Sequence, residues 1–102
     1  MNEIILGDCE EVLKTLHEES VHLTCTSPPY YNAKSYSVWP NYEDYLQFLD
    51  NVFRQVFRVT KSGRMCLVNL SPVIVARESR SHESKRLPIP FHFFHLMDNH
   101  FP

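Results

Sequence analysis

The sequence lacks paired cysteines, and the three that it has are not spaced like metal ligands or disulfide partners. Cys9, Cys25 and Cys66 are odd in number, widely separated and without a Cys-x-x-Cys pair. This pattern argues against both a disulfide framework and a zinc site. We therefore expect three reduced, half-buried thiols, as is usual for a protein of the cytoplasm.

An excess of charge of one sign is also lacking. Ten Lys and Arg residues stand against twelve Asp and Glu, which gives a formal net charge of -2 over 102 residues. This balance gives the whole surface no attraction to nucleic acid or to a membrane, so any contact with nucleic acid must come from a local patch. No signal-peptide pattern and no apolar run of membrane-spanning length is present, so we expect a soluble, cytoplasmic chain without a membrane partner.

A convincing metal-binding motif is lacking as well. His92, His95 and His100 lie close together near the C-terminus. No cysteine joins them, and we therefore expect no bound metal.

Short apolar runs alternate with amphipathic stretches along the chain. Strand alternating with helix is typical of a parallel α/β layer, and no linker divides residues 1–102 into two domains. The predicted strands are Glu3–Leu6, Val21–Cys25 and Arg64–Leu70. The predicted helices cover residues 8–17, the apolar stripe from Tyr42 to Phe57, and a stretch from Pro90 to Asn99, and the predicted loops are residues 31–41 and 71–88.

Local signals mark the ends of two predicted helices. Asp8 follows Gly7 at an N-cap position, and Glu11 stands three residues further on, as in a capping box. Gly63 is suited to a left-handed C-cap of the long helix.

Two consecutive prolines directly follow the second predicted strand, in the segment T-S-P-P-Y-Y from Thr26 to Tyr31. Prolines cannot donate to a sheet ladder, so the strand ends here, at the edge where parallel sheets bind ligands. Ser27 offers a hydroxyl, Pro28 a carbonyl held by a rigid ring, and Tyr30 a flat face of base-like size. Together they could accept both hydrogens of a planar group's NH₂ and free its nitrogen lone pair for attack. The alternative is a plain strand stop.

The segment and its surroundings resemble the amino-group DNA methyltransferases of restriction–modification systems. The resemblance rests on G-D-x-x-x-x-L from Gly7, then T-S-P-P-Y, then a K-S-G-R turn from Lys61, and covers roughly residues 3–101. It implies a partial three-layer Rossmann-like α/β fold with three parallel strands and flanking helices. It also implies S-adenosylmethionine as methyl donor and a flipped-out base of double-stranded DNA as acceptor.

The resemblance also implies roles for individual residues. Ser27 and the Pro28 carbonyl would accept from the amino group, Pro29 would complete the rigid corner, Tyr30 would stack on the base, and Asp8 would lie near the adenosine of the cofactor. Serine in the first position resembles the branch that methylates cytosine, with adenine as the alternative. The zinc-ligand signature of a deaminase is absent.

Reasoning from the residue types alone leaves two functional roles undecided. Asp8 would cap its helix whether or not it binds a cofactor. Tyr31, Tyr36 and Trp39 either flank the base as a lid or pack onto the helix stripe.

Glycine is scarce too, with only Gly7 and Gly63 in the chain. The cofactor pocket of the family depends on a Phe-x-Gly-x-Gly turn, and neither glycine belongs to one. We therefore expect residues 1–102 to be the N-terminal portion of a catalytic domain, without the glycine turn and the target-recognition region. Such a portion, from a truncated gene or as one half of a split enzyme, would be inactive or nearly inactive alone. The alternative is a non-catalytic remnant or split-enzyme half that binds DNA weakly or pairs with a complementary C-terminal polypeptide.

Overall fold

A computed structural model describes residues 2–29, 31, 39–75 and 85–98. Three helices and four strands lie in these ranges. In chain order they are α1 (Cys9–Lys14), β1 (Val21–Thr26), α2 (Tyr42–Val59), β2 (Thr60–Val68), β3 (Val73–Val75), β4 (Lys85–Leu87) and α3 (Ile89–Asp98).

Strands β1 and β2 form a parallel pair with α2 as the connection between them. The predicted α/β alternation is therefore present, but the parallel sheet of the described residues has two strands, and the prediction of three is not borne out. The segment Glu3–Leu6 forms no strand, and Ile4 and Leu6 are fully exposed. A parallel strand requires a hydrogen-bonding neighbour, and the described sheet offers this segment none.

Helix α2 confirms the predicted amphipathic stripe. The side chain of Asn41 caps it by accepting a hydrogen bond from the Asp44 N–H at 2.8 Å. The buried face of the helix forms most of the hydrophobic core described here, because residues three and four apart share one side of a helix. Its buried residues are Tyr45, Leu49, Val52, Phe53, Val56 and Val59.

The prediction of Gly63 as a helix C-cap is wrong. Helix α2 ends at Val59, and Thr60 at its C-cap is already extended, with φ -75° and ψ 127°. Gly63 does take a left-handed conformation, with φ +78°, but it lies inside β2. The register explains this position, because Val21 pairs with Thr60 whereas Leu23 pairs with Met65, so that extra residues of β2 must bulge between these pairs.

The predicted loop over residues 71–88 is wrong at both of its ends. Val73–Val75 pairs antiparallel with Lys85–Leu87. The three residues of Val73–Val75 are all β-branched, a type that favours extended backbone. Helix α3 then confirms the predicted helix near the C-terminus. It packs on α2 through the rings of Phe53 and Phe93, whose centroids are 4.8 Å apart in an edge-to-face contact.

Helix α1 is shorter than predicted but begins as expected. Asp8 is its N-cap, with Oδ1 accepting from the Glu10 N–H at 2.9 Å. The reciprocal half of a capping box is not formed, because the Glu11 carboxylate lies 3.3 Å from Nζ of Lys14 instead. The helix ends at Lys14, and Thr15 is its C-cap.

Two of the three cysteines are more exposed than expected. Cys9 and Cys25 are exposed and only Cys66 is half-buried, and all three are free thiols. Burial, together with the neighbouring Cys25, raises the pKa of Cys66. Among the residues described, no helix is long and apolar enough to cross a membrane, and no cluster of His, Cys, Asp and Glu could hold a metal ion.

Arg58 ties α1 to α2. Its Nη2 donates to the carbonyl oxygens of Leu13 at 2.8 Å and Leu16 at 3.0 Å, at the C-terminal end of α1 and just beyond it. We expect Arg58→Met to lower the free energy of unfolding by about 1.5–3 kcal/mol, because it removes charge-assisted hydrogen bonds but keeps most of the aliphatic stem. Denaturant titration measures the change.

Arg54→Met is the matched control on the same helix. Arg54 makes a surface ion pair with Asp50 at 2.8 Å, and losing such a pair costs about 1 kcal/mol at most. Equal losses in the two variants would show that Arg58 does not join the helices.

Candidate active site

The carboxyl ends of β1 and β2 meet where the site is predicted. Thr26 pairs with Val68, and the N–H of Asn69 then donates to the Thr26 carbonyl at 2.9 Å, which extends the ladder by one residue. Ser27 comes next and is exposed, and its Oγ donates only weakly to the Asn69 carbonyl, at 3.4 Å against about 2.5–3.0 Å for an ordinary O–H···O hydrogen bond. The Ser27 hydroxyl therefore lies at the edge of the sheet where parallel sheets bind ligands.

This contact bears on whether the Ser27 hydroxyl donates or accepts a hydrogen bond toward a ligand. A hydroxyl has one hydrogen to donate and two lone pairs that accept. With its hydrogen directed at the Asn69 carbonyl, the oxygen offers its lone pairs to other groups. A ligand NH₂ group needs acceptors of this kind, so the arrangement suits an amino group.

The two prolines after Ser27 differ in their surroundings. Pro28 is buried, whereas Ser27 and Pro29 are exposed. The Pro29 carbonyl accepts a hydrogen bond at 2.8 Å from the hydroxyl of Tyr45, a residue of α2. The diproline corner is thus attached to the sheet at its start and to the long helix at its end.

An aromatic cluster formed by Tyr31, Trp39, Tyr42 and Tyr45 packs at the start of α2, next to this corner. The ring centroid of Tyr45 lies 4.8 Å from that of Trp39 and 5.5 Å from that of Tyr31. The hydroxyl of Tyr42 lies 2.7 Å from Nδ1 of His92, and burial raises the pKa of Tyr42. Tyr31 and Trp39 thus pack onto the helix, one of the two alternatives that the sequence left open.

The predicted site residues are only partly brought together. Ser27, Pro28 and Pro29 form one corner, but Tyr30 lies outside the described residues, as does Tyr36. Asp8 is exposed and caps α1, and none of the hydrogen bonds found among the described residues joins it to the corner. The roles of these residues toward a base or a cofactor stay predictions.

Sequence reasoning missed two contributors to this site. Tyr45 was counted only as part of the core stripe, although a buried tyrosine hydroxyl usually has a hydrogen-bond partner. Asn69 is the first residue after β2, and its backbone becomes important only once the parallel register places it beside Thr26 and Ser27.

A largely apolar cavity lies between α2, β2 and α3, and it is distinct from the diproline corner. It has a volume of about 380 Å³ and includes none of the predicted site residues. Its lining residues are Phe53, Arg64, Cys66, Val68, Phe93 and Met97.

Comparison with known proteins agrees with this geometry. The sequence profile of a DNA methylase family matches residues 21–101, which include β1, the diproline corner and β2. The chain therefore belongs to this family of DNA methylases.

Two type II methyltransferases are similar to the chain in sequence. The chain is 36% identical over 92 residues to the type II beta methyltransferase M.BslI of Bacillus sp. (strain NEB-606), covering 85% of this chain. It is 31% identical over 74 residues to the type II methyltransferase M.BglI of Bacillus subtilis, covering 72% of this chain. The chain spans only 10% of the first relative and 21% of the second.

A solved structure shares the fold. A Thermus thermophilus protein assigned as a DNA modification methylase superposes with a TM-score of 0.76 at 34% identity, covering 92% of this chain and 38% of that chain. The same protein has been crystallised in complex with S-adenosyl-L-methionine; that structure also has a TM-score of 0.76, at 33% identity over 92% of this chain and 37% of its own.

Proposed function

We propose that the chain supplies the amino-group-binding part of an S-adenosylmethionine-dependent DNA methyltransferase, which methylates the exocyclic amino group of cytosine as part of a restriction–modification system. One observation carries this proposal. The exposed Ser27 hydroxyl stands at the joined carboxyl ends of β1 and β2, where its only hydrogen-bond partner among the described residues is the Asn69 carbonyl at 3.4 Å. Its lone pairs are thereby offered to a donor, and an exocyclic NH₂ is such a donor.

The reaction needs the amino nitrogen to act as a nucleophile. In a free base its lone pair is conjugated with the ring. Acceptance of one hydrogen by Ser27 Oγ and of the other by the Pro28 carbonyl would hold the group so that the lone pair leaves conjugation. Tyr30 would stack on the flipped base. S-adenosylmethionine, when bound, supplies an electrophilic methyl group.

The residues present do not by themselves fit the whole cofactor. Asp8 offers one exposed carboxylate, part of which caps α1. The chain has no Phe-x-Gly-x-Gly turn, since Gly7 and Gly63 are its only glycines. We propose that residues 1–102 are an N-terminal portion of the catalytic domain and that the rest of the cofactor pocket comes from a complementary C-terminal polypeptide. The small share of each relative that the chain spans supports this.

One face of the β1–β2 sheet carries exposed apolar side chains, and these support the proposal of such a partner. Leu23 pairs with Met65, and Cys25 pairs with Leu67, so these side chains share one face of the sheet. Leu23 is 58% exposed, Met65 63% and Leu67 48%. Contiguous apolar surface of this kind usually marks an interaction site. We propose that the complementary polypeptide covers it.

The isolated chain should self-associate through this face. We expect the triple variant Leu23→Thr, Met65→Thr, Leu67→Thr to be more nearly monomeric than the unaltered chain, because threonine keeps strand propensity but removes apolar area. Light scattering after size exclusion, over a range of protein concentrations, measures the mass.

The control variant replaces three exposed apolar residues elsewhere, Ile4, Ile5 and Leu6, with threonine. It should associate as the unaltered chain does. A clean monomer for the unaltered chain, or equal improvement in both triple variants, would count against the proposed interface.

Methyl transfer tests the proposed function. The chain is incubated with unmethylated DNA and tritiated S-adenosylmethionine, with and without the polypeptide encoded directly downstream of it. We expect label in DNA only when both polypeptides are present. Absence of label from both mixtures would leave the chain as a remnant that at most binds DNA.

A further inference from the structure

We infer that Tyr45 is a positioning residue for the diproline corner. Its hydroxyl fixes the peptide group that joins Pro29 to the following residue, and so sets how the corner is presented to an acceptor base. This inference rests on the proposed function and deepens the same site by adding a residue that touches neither the base nor the methyl donor.

The geometry of Tyr45 suits this role. Its side chain is 0% exposed, and its hydroxyl donates to the Pro29 carbonyl at 2.8 Å across a sequence separation of 16 residues. Trp39 and Tyr31 pack against its ring at 4.8 Å and 5.5 Å between centroids. A tyrosine has few torsions, and a ring wedged in this way holds its hydroxyl in one place.

Core packing alone does not explain a hydroxyl at this position. The other buried residues of the α2 stripe are Leu49, Val52, Phe53, Val56 and Val59, all apolar. Burying a hydroxyl costs free energy unless it is hydrogen-bonded, and the Tyr45 hydroxyl avoids that cost only through a partner such as the Pro29 carbonyl. The hydroxyl therefore indicates a requirement at the group it binds, the Pro29 carbonyl.

The corner needs such an anchor because of its own chemistry. The ring of Pro29 fixes its φ but leaves its ψ free, and both prolines lack the N–H group with which the corner could be held. The sheet ladder ends with the bond from the Asn69 N–H to Thr26. Beyond it, the contact of Ser27 with Asn69 holds the start of the corner and the Tyr45 hydroxyl holds its end. The Tyr45 bond thus selects one ψ for Pro29.

Tyr45→Phe tests the inference, because it removes the hydroxyl and keeps the ring. Tyr42→Phe is the matched control, since it removes another tyrosine hydroxyl of the same helix, the one beside His92. Labelling proline carbonyls with carbon-13 and tyrosine amides with nitrogen-15 gives one correlated NMR signal, because Pro29–Tyr30 is the only Pro–Tyr bond in the chain. We expect this signal to shift in Tyr45→Phe and to stay in place in Tyr42→Phe.

The second readout is methyl transfer in the mixture with the complementary polypeptide. We expect Tyr45→Phe to lower kcat by about 10-fold to 100-fold, since small misplacements in a site are costly, with the KM for the methyl donor unchanged. Thermal unfolding of both variants corrects each rate for the fraction of folded protein.

The outcomes separate the inference from the proposed function. The inference is overturned if the Pro29–Tyr30 signal is unmoved in Tyr45→Phe, or if kcat, corrected for folding, equals that of Tyr42→Phe. If the unaltered mixture transfers no methyl groups, the proposed function fails. The NMR signal then decides the anchoring alone: a shift confined to Tyr45→Phe supports it, and an unmoved signal overturns it.

Discussion

Replacing Ser27 with alanine should reduce methyl transfer by about 100-fold or more, which is the usual effect of removing one well-placed polar contact from a reacting centre. The reduction should lie in kcat, because the hydroxyl is expected to act on the amino group that attacks, and not on the methyl donor. The measurement is steady-state methyl transfer to DNA by the chain together with its complementary polypeptide.

The same change should leave the fold almost intact. Ser27 is exposed, and its bond to the Asn69 carbonyl is long at 3.4 Å, so its loss should cost about 1 kcal/mol of stability or less. Ser20→Ala is the control at the opposite end of β1, where the Ser20 hydroxyl donates to the His17 carbonyl at 2.7 Å. If Ser27→Ala retained the activity of Ser20→Ala, the hydroxyl would have no part in the reaction.

Phe53→Ala should have the largest effect on stability. The Phe53 side chain is 1% exposed, lies in the middle of α2 and meets the Phe93 ring of α3 edge-on at 4.8 Å. Truncation of a buried phenylalanine costs about 3–5 kcal/mol, from lost burial and the cavity left behind. That loss is a large fraction of the roughly 5–15 kcal/mol by which most domains are stable. Denaturant titration followed by circular dichroism measures it.

Phe57→Ala is the comparison for this prediction. Phe57 stands one helical turn further along α2 and is 42% exposed, so its truncation removes less buried area and leaves no closed cavity. We expect a loss well below that of Phe53→Ala. Similar losses at the two positions would mean that α3 does not dock on α2 through Phe53.

Much of the fold could be predicted because local patterns decide it. The stripe from Tyr42 to Phe57 marks α2 by its period, and Asp8 marks the start of α1 by its capping chemistry. The prolines mark the end of β1, because they cannot continue a ladder. For the same reason, the placement of Ser27 at the edge of the sheet followed from the sequence.

The errors arose where a long-range contact decides the structure. Glu3–Leu6 has strand composition, but a strand forms only beside a neighbour. Gly63 has the conformation of a C-cap, but the β2 register places it in a bulge. Val73–Val75 became a strand only through its pairing with Lys85–Leu87. The bond from Tyr45 to Pro29 likewise joins two segments whose proximity no local pattern predicts.

The identity of the methylated nucleoside tests the central claim most directly. DNA from the reaction of both polypeptides is digested to nucleosides, which are separated and identified by mass spectrometry. The account predicts a methyl group on the exocyclic nitrogen of cytosine. A methyl group on the amino nitrogen of adenine would overturn the assignment of Ser27 to the cytosine branch. A methyl group on a ring carbon would contradict the account, since hydroxyl and carbonyl acceptors have no part in activating carbon.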